Sequence, residues 1–484
     1  MDDMQLTAAH WVYGAFVVIV IATMAKRRDA LIPCIAGVFT LGWILTGSPL
    51  GAVTTVFKSS AVAMRELLDI ILVISLIVGL ASALAKMGAE QLMVAPAAKL
   101  MRSPEMAFWI IGAVMLLASY FLWPSPATAL VGVVLVPAAT AVRLPAISAA
   151  VAMNLFGHGI ALSTDYVIQG APSISARAAN LPVEAVMVSG IPLILTMSLV
   201  TVTAAFLIAR RDIARARAEA DGAAAPETGS APVAIAASAA ANVPVGLTPE
   251  TVTAVADPPK ISTLARVAAI VVPLAYLATV VMLVAFRVRG GDATAVIGGI
   301  TLLLLAAFTL IGHGAAGFDL ITEHLVHGFS FGVRIFAPVI IIASFFYLGS
   351  PEIARQVFGE GARGLLFDLA EALAKVIPLN RVTVGLMQST IGVIVGLDGS
   401  GFSGLPLTGS LAGAFAAVAN LKAGTIAALG QIATVWSGGG CIIPWGVVSV
   451  AAICRVSPQE LAIKNFVPVL LGLAATTVVA IILM

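Results

Sequence analysis

Long apolar runs dominate the chain, separated by short polar stretches, in the manner of a bundle of membrane-spanning helices. In the first half, runs near 11–25, 30–47 and 66–86 each read as one span, because crossing a hydrocarbon layer of ~30 Å takes about 20 apolar residues in a helix. A two-armed segment, 105–142, follows; it is broken at Trp123-Pro-Ser-Pro126. An interrupted span 146–176 and a final span 183–209 complete the half. The stretches 51–65, 318–332 and 352–377 carry scattered charges and read as interfacial or connecting helices. From Arg210 the pattern gives way to arginines and then to Ala, Gly, Pro, Ser and Thr, which predicts a disordered linker. The division expected is a first membrane repeat 1–209, a disordered cytoplasmic linker 210–262 and a second membrane repeat 263–484.

The halves carry matching residues in order. Asp29-Ala30 pairs with Asp292-Ala293, Arg65 with Arg334, Lys99 with Lys375, Ser125 with Ser400, and Asn180-Leu-Pro-Val-Glu184 with Val456-Ser-Pro-Gln-Glu460, at offsets that run 263, 269, 276, 275 and 276. A duplication explains five such pairs inside matching apolar runs. With the two-armed segment as a re-entrant hairpin, each half crosses five times, and an odd number makes the second copy inverted. Lys26, Arg27, Arg28, Lys86, Lys99, Arg102, Arg143 and the linker arginines then share one face, which the positive-inside rule makes cytoplasmic. Both termini are expected in the periplasm, with the chain in the inner membrane. Arg287, Arg289, Arg355, Arg363, Lys375, Arg381 and Lys422 lie on the outer face in this topology, so the second half obeys the rule less well.

Composition agrees with the pattern: 60% of the residues are hydrophobic and 10% charged, against about 25% charged in a soluble domain. With 26 basic and 24 acidic residues, the net charge of +2 offers nothing to nucleic acid. Cys34, Cys441 and Cys454 lack a metal-binding spacing and read as small core residues. There is no cleavable signal peptide in the pattern, since the first apolar run ends in Lys26-Arg27-Arg28.

Candidate chemistry gathers at four interruptions: Trp123-Pro-Ser-Pro-Ala-Thr128, Phe156-Gly-His-Gly159 running on to Asp165, Asp398-Gly-Ser-Gly-Phe-Ser403, and Trp436-Ser-Gly-Gly-Gly440. Irregular backbone at membrane depth needs protein, water or a ligand to satisfy it. Broken helices at equivalent points of repeats point to a transporter's site, where helix starts offer N–H groups to anions. The substrate-binding candidates are Ser125, Thr128, Asn154, Gly157, Ser163, Thr164, Ser400, Gly401, Ser403, Thr434, Ser437, Gly438 and Gly439, with Gln431 beside them. Hydroxyls and amides can bind a carboxylate without burying a full charge, while the plainer reading of each hydroxyl is a bond back to its own helix. His158, Asp165 and Asp398 are candidates for ion coupling. Asp69, one turn after Arg65, reads as its ion-pair partner, and Lys464 as an interfacial anchor.

Two inverted halves, each with a Ser-bearing hairpin tip followed by a broken helix, resemble the ion transporter superfamily of secondary carriers, which includes gluconate, lactate and C4-dicarboxylate permeases. Gly399-Ser-Gly-Phe-Ser-Gly404 and Ile453-Cys-Arg-Val-Ser-Pro-Gln-Glu460 carry the local likeness. The tips depart from the Ser-Asn-Thr signature of the dicarboxylate branch. The resemblance implies an all-α polytopic membrane protein with a scaffold and an elevator-like transport domain, a homodimer, moving a small carboxylate with Na⁺ or H⁺. No cofactor or catalytic residue is expected beyond the coupling ion. A cation or neutral-solute carrier of the same fold, an intramembrane enzyme and a subunit that needs partners are the alternatives. The enzyme reading lacks a His-Glu-x-x-His pair, a Gly-x-Ser-x-Gly elbow and a phosphate loop.

Overall fold

The computed structural model describes residues 6–26, 28–222, 262–286, 288, 290–376, 378–397, 399, 401–442 and 444–484. Asp398, Ser400 and most of the expected linker, together with Arg27, Arg287 and Arg289, lie outside the described residues. Among the described residues the fold is entirely helical, and nine segments are long and apolar enough to cross a membrane. The chain is an all-α, multi-pass membrane protein.

The first half runs α1 (Ala8–Ala25), α2 (Leu31–Thr46), α3 (Pro49–Met87), α4 (Ala89–Ala98), α5 (Pro104–Leu122), α6 (Pro124–Ala141), α7 (Ala146–Asn154), α8 (Gly170–Ala178) and α9 (Val183–Gly222). Between α7 and α8 the helix widens into a π-helical stretch, Leu155–Ala161, and closes with one more turn, Leu162–Thr164. The second half runs α10 (Thr263–Ala285), α11 (Gly290–His313), α12 (Gly317–Phe346), α13 (Pro351–Phe358), α14 (Leu365–Ala374), α15 (Arg381–Gly396), α16 (Leu405–Ala419), α17 (Ala423–Gly438), α18 (Pro444–Cys454) and α19 (Pro458–Leu483). The order matches, with α12 and α13 together standing where α3 stands and α14 where α4 stands.

Two local properties of the backbone repeat as well. Left-handed residues end corresponding elements: Gly47 and Gly314, Gly88 and Gly359, Trp123 and Gly399, Arg143 and Asn420, Asp165 and Gly440, Asn180 and Arg455. Packing between the halves is reciprocal: α2 meets α12 as α11 meets α3, α1 meets α14 as α10 meets α4, α6 meets α18 as α16 meets α8, and α7 meets α19 as α17 meets α9. The equivalent pairs α3 with α12 and α9 with α19 also pack on each other. Both pairs run antiparallel. A Cβ on Gly79 would stand 3.0 Å from the His324 carbonyl oxygen, while further toward the start of α3 Ser75 abuts Gly328 and Gly332. In the second pair Lys464 reaches Asp212 and Gly472 rests on Thr201.

Several expectations are corrected. Residues 51–65 and 318–332 are not separate interfacial helices but the first parts of α3 and α12. Ser48, whose hydroxyl accepts from the Gly51 N–H at 3.3 Å, starts α3 with Pro49 in its first turn, and nothing breaks it before Gly88. The final span of the first half does not stop at 209. Arginine, alanine and glutamate are good helix formers, and Arg217 reaches Glu105 at 3.3 Å, so α9 continues to Gly222. Asp69 turns from Arg65 to Arg177, 3.6 Å away. Lys464 holds Asp212 at 2.6 Å.

Candidate functional site

The four interruptions converge. At the first tip α5 ends and α6 begins on Trp123, whose backbone is left-handed (φ 70°, ψ 148°). Its ring packs tilted, 5.6 Å between centres, against Phe402 of the second tip, and Phe402 lies 6.3 Å from Phe336 of α12. Gly401, also left-handed, has no room for a side chain against Gly439. The second tip thus sits on the break that follows α17.

The two interrupted helices touch each other just as closely. Trp436 in α17 donates its indole N–H to Ser163 Oγ at 3.0 Å, and Gln431 donates to the Ser163 carbonyl at 2.8 Å. Gly159 gives the Trp436 ring its space, since a Cβ there would come within 2.6 Å of it. Gly446 of α18 likewise lies under the His158 ring, where a Cβ would be 2.8 Å from Nε2. Gly159 and His158 sit in the π-helical stretch, and such widened turns recur at functional sites.

Each predicted residue among the described ones has a definite place. Ser163, Thr164, Thr434 and Ser437 bond back to carbonyls four residues earlier, at 2.7, 2.7, 2.8 and 2.6 Å. Thr128 does the same to Pro124, at 2.7 Å. That is the plainer fate of a helical hydroxyl, and Thr164 adds a bond to the Tyr120 hydroxyl at 2.7 Å. Gly157 fits against Met115, and Gly438 against the backbone of Gly396. Ser125 is half-buried, and Ser403 and Gly439 are buried. Both amide atoms of Asn154 are buried with no hydrogen-bond partner among the described residues. The Asp165 carboxylate accepts the Gly170 N–H at 2.6 Å and the Ala171 N–H at 3.4 Å, which makes it the cap of α8.

The structure also brings in residues that sequence patterns passed over. Tyr120 and Gly446 join the convergence only through tertiary contacts, so nothing local marks them. Away from it, a cleft of about 280 Å³ opens between α3, the α8–α9 turn and α13, with Glu66, Arg177, Asn180, Ser350 and Glu352 in its wall. There Arg177 binds Glu66 at 2.7 Å. Among the described residues no group of three or more His, Cys, Asp or Glu is arranged to hold a metal ion.

No family model matches the sequence. The chain is 38% identical over 487 residues, across 100% of both proteins, to a protein of Bacillus subtilis (strain 168) described as uncharacterized membrane protein YhfA. At that identity over full length, the chain belongs to the membrane-protein family of YhfA.

Proposed function

We propose that this protein is a secondary active transporter of a small organic anion, a carboxylate, across the inner membrane, driven by Na⁺ or H⁺. Two inverted halves build one site, which alternates by an elevator-type movement, and the assembly is a homodimer. One observation carries the reading: interruptions at equivalent places in the two halves meet each other, through Trp123 with Phe402 and Trp436 with Ser163. Carriers with inverted repeats place their substrates at such paired breaks.

Inversion is supported by the antiparallel packing of α3 on α12 and of α9 on α19. The ion pairs support it too. With five crossings per half, Lys86–Glu323, Arg217–Glu105 and Lys464–Asp212 fall on the linker's face, and His10–Asp368 and Arg177–Glu66 on the other. Among the described residues no pair joins opposite faces. Hydroxyls, amides and glycines at the breaks suit binding better than catalysis, so the function proposed is transport and not an enzymatic one.

Uptake of labelled monocarboxylates, dicarboxylates and sugar acids into proteoliposomes, under an imposed Na⁺ gradient and separately a pH gradient, tests this. One class accumulating under one gradient, and slowed by Ser125→Ala or Ser400→Ala, is the result expected. Entry of no carboxylate under either gradient overturns the reading.

A further inference from the structure

The Pro-Ser-Pro sequence strips the start of α6 of the donors that a helix start normally offers. Pro124 and Pro126 have no N–H, the Trp123 N–H donates to the Ser119 carbonyl at 3.2 Å, and the Ala127 N–H to the Trp123 carbonyl at 3.1 Å. In that first turn only the Ser125 N–H is left to a ligand among the described residues. One N–H is a poor cradle for an anion, which ordinary helix starts bind through several.

Beside that gap stands a donor without an acceptor among the described residues. The indole of Trp123 is 1% exposed, yet its Nε1–H has no hydrogen-bond partner among the described residues. An indole N–H can only donate, and a buried one normally finds an acceptor. Packing fixes the ring in place. Phe402 packs against it at a tilt, and a Cβ on Gly170 would lie 3.5 Å from its Cη2. The residue's left-handed backbone (φ 70°) is one that side chains other than glycine rarely adopt; it persists where the surroundings impose it, as they do at ligand sites. One turn earlier on α5, Ser119 Oγ is also buried without a partner, as are both amide atoms of Asn154 on α7, which packs against α5.

From this we infer that Trp123 is a substrate ligand: its indole N–H donates to a carboxylate oxygen of the transported anion and supplies, at the first tip, the donor that the two prolines remove. Trp123 then selects for a solute with a carboxylate acceptor at that point. The inference takes its substrate class from the transport reading.

The test uses the full chain in nanodiscs with ¹⁵N-labelled indoles, titrated with lactate, succinate and gluconate. The same three are used for uptake in proteoliposomes. Trp123→Phe keeps the ring and removes the N–H; Trp123→Tyr is the second variant, and whichever folds assigns the Trp123 resonance. Expected are a downfield shift of that N–H with the transported anion and, in the variant, a KM higher by about ten-fold or more at a nearly unchanged maximal rate, as the loss of a charge-assisted bond requires. Uptake with the resonance unmoved and the variant's KM unchanged overturns the inference and leaves transport standing. A shift without uptake of any of the three upholds the ligand role and sinks the transport reading. Neither shift nor uptake removes both.

Discussion

Trp436 and Ser163 stand 273 residues apart and are joined by a hydrogen bond of 3.0 Å from indole to hydroxyl, in the middle of the two interrupted helices. Ser163 Oγ also donates to the Gly159 carbonyl, at 2.7 Å, so one hydroxyl ties the π-helical stretch to α17. Removing it leaves a buried indole N–H unsatisfied, at a cost of about 1–3 kcal/mol. Ser163→Ala should lower the detergent melting temperature accordingly, and Trp436→Phe should lower it less than additively with Ser163→Ala in a double-mutant cycle. Full additivity would show that the bond contributes nothing.

Gly438 is the tightest crossing of α17 with α15. A Cβ there would meet the Gly396 carbonyl carbon at 2.7 Å and its Cα at 2.8 Å, all backbone, which cannot move aside without separating the helices. Gly438→Ala is therefore expected at or above the upper end of the usual overpacking cost of about 1–3 kcal/mol. Gly299 has nothing within 4 Å of the same added atom, so Gly299→Ala is the control that leaves the melting temperature in place.

Glu90, in the first turn of α4 and between two spans, is buried, and that burial pushes its carboxyl up from 4.5 to about 8. The folded chain holds this proton more firmly than the unfolded one. Its contribution to stability is therefore complete below pH about 4.5, declines as pH rises toward about 8 and is gone above. Melting curves across pH 5 to 9 should show the decline, and Glu90→Gln should flatten it. A wild-type profile that rises over this range would contradict the assignment.

Much of the architecture was legible in the chain. The apolar runs marked the helices long enough to cross a membrane, and Pro-Ser-Pro marked the break between α5 and α6 at Trp123. Other features depended on distance in space. Phe156-Gly-His-Gly159 looks like a break, but the backbone stays helical by widening, because Met115 and Trp436 fill the room that Gly157 and Gly159 leave. Asp165 reads as a coupling carboxylate from its depth in an apolar run; that it also accepts the Gly170 N–H is visible only in the fold. Charges were the least legible. Arg65 lies nearer to Asp69 in sequence, yet Arg177 from α8 takes both Glu66 and Asp69.

If the halves are inverted copies enclosing one site, equivalent residues emerge on opposite sides of the membrane. Lys99 and Lys375 are such a pair, both exposed, and the native cysteines Cys34, Cys441 and Cys454 are buried and give a quiet background. With Lys99→Cys and Lys375→Cys introduced singly, a membrane-impermeant thiol reagent should reach position 99 from the cytoplasmic side alone and position 375 from the outside alone. Labelling of both from the same side would contradict the inverted arrangement and, with it, the site built between the halves.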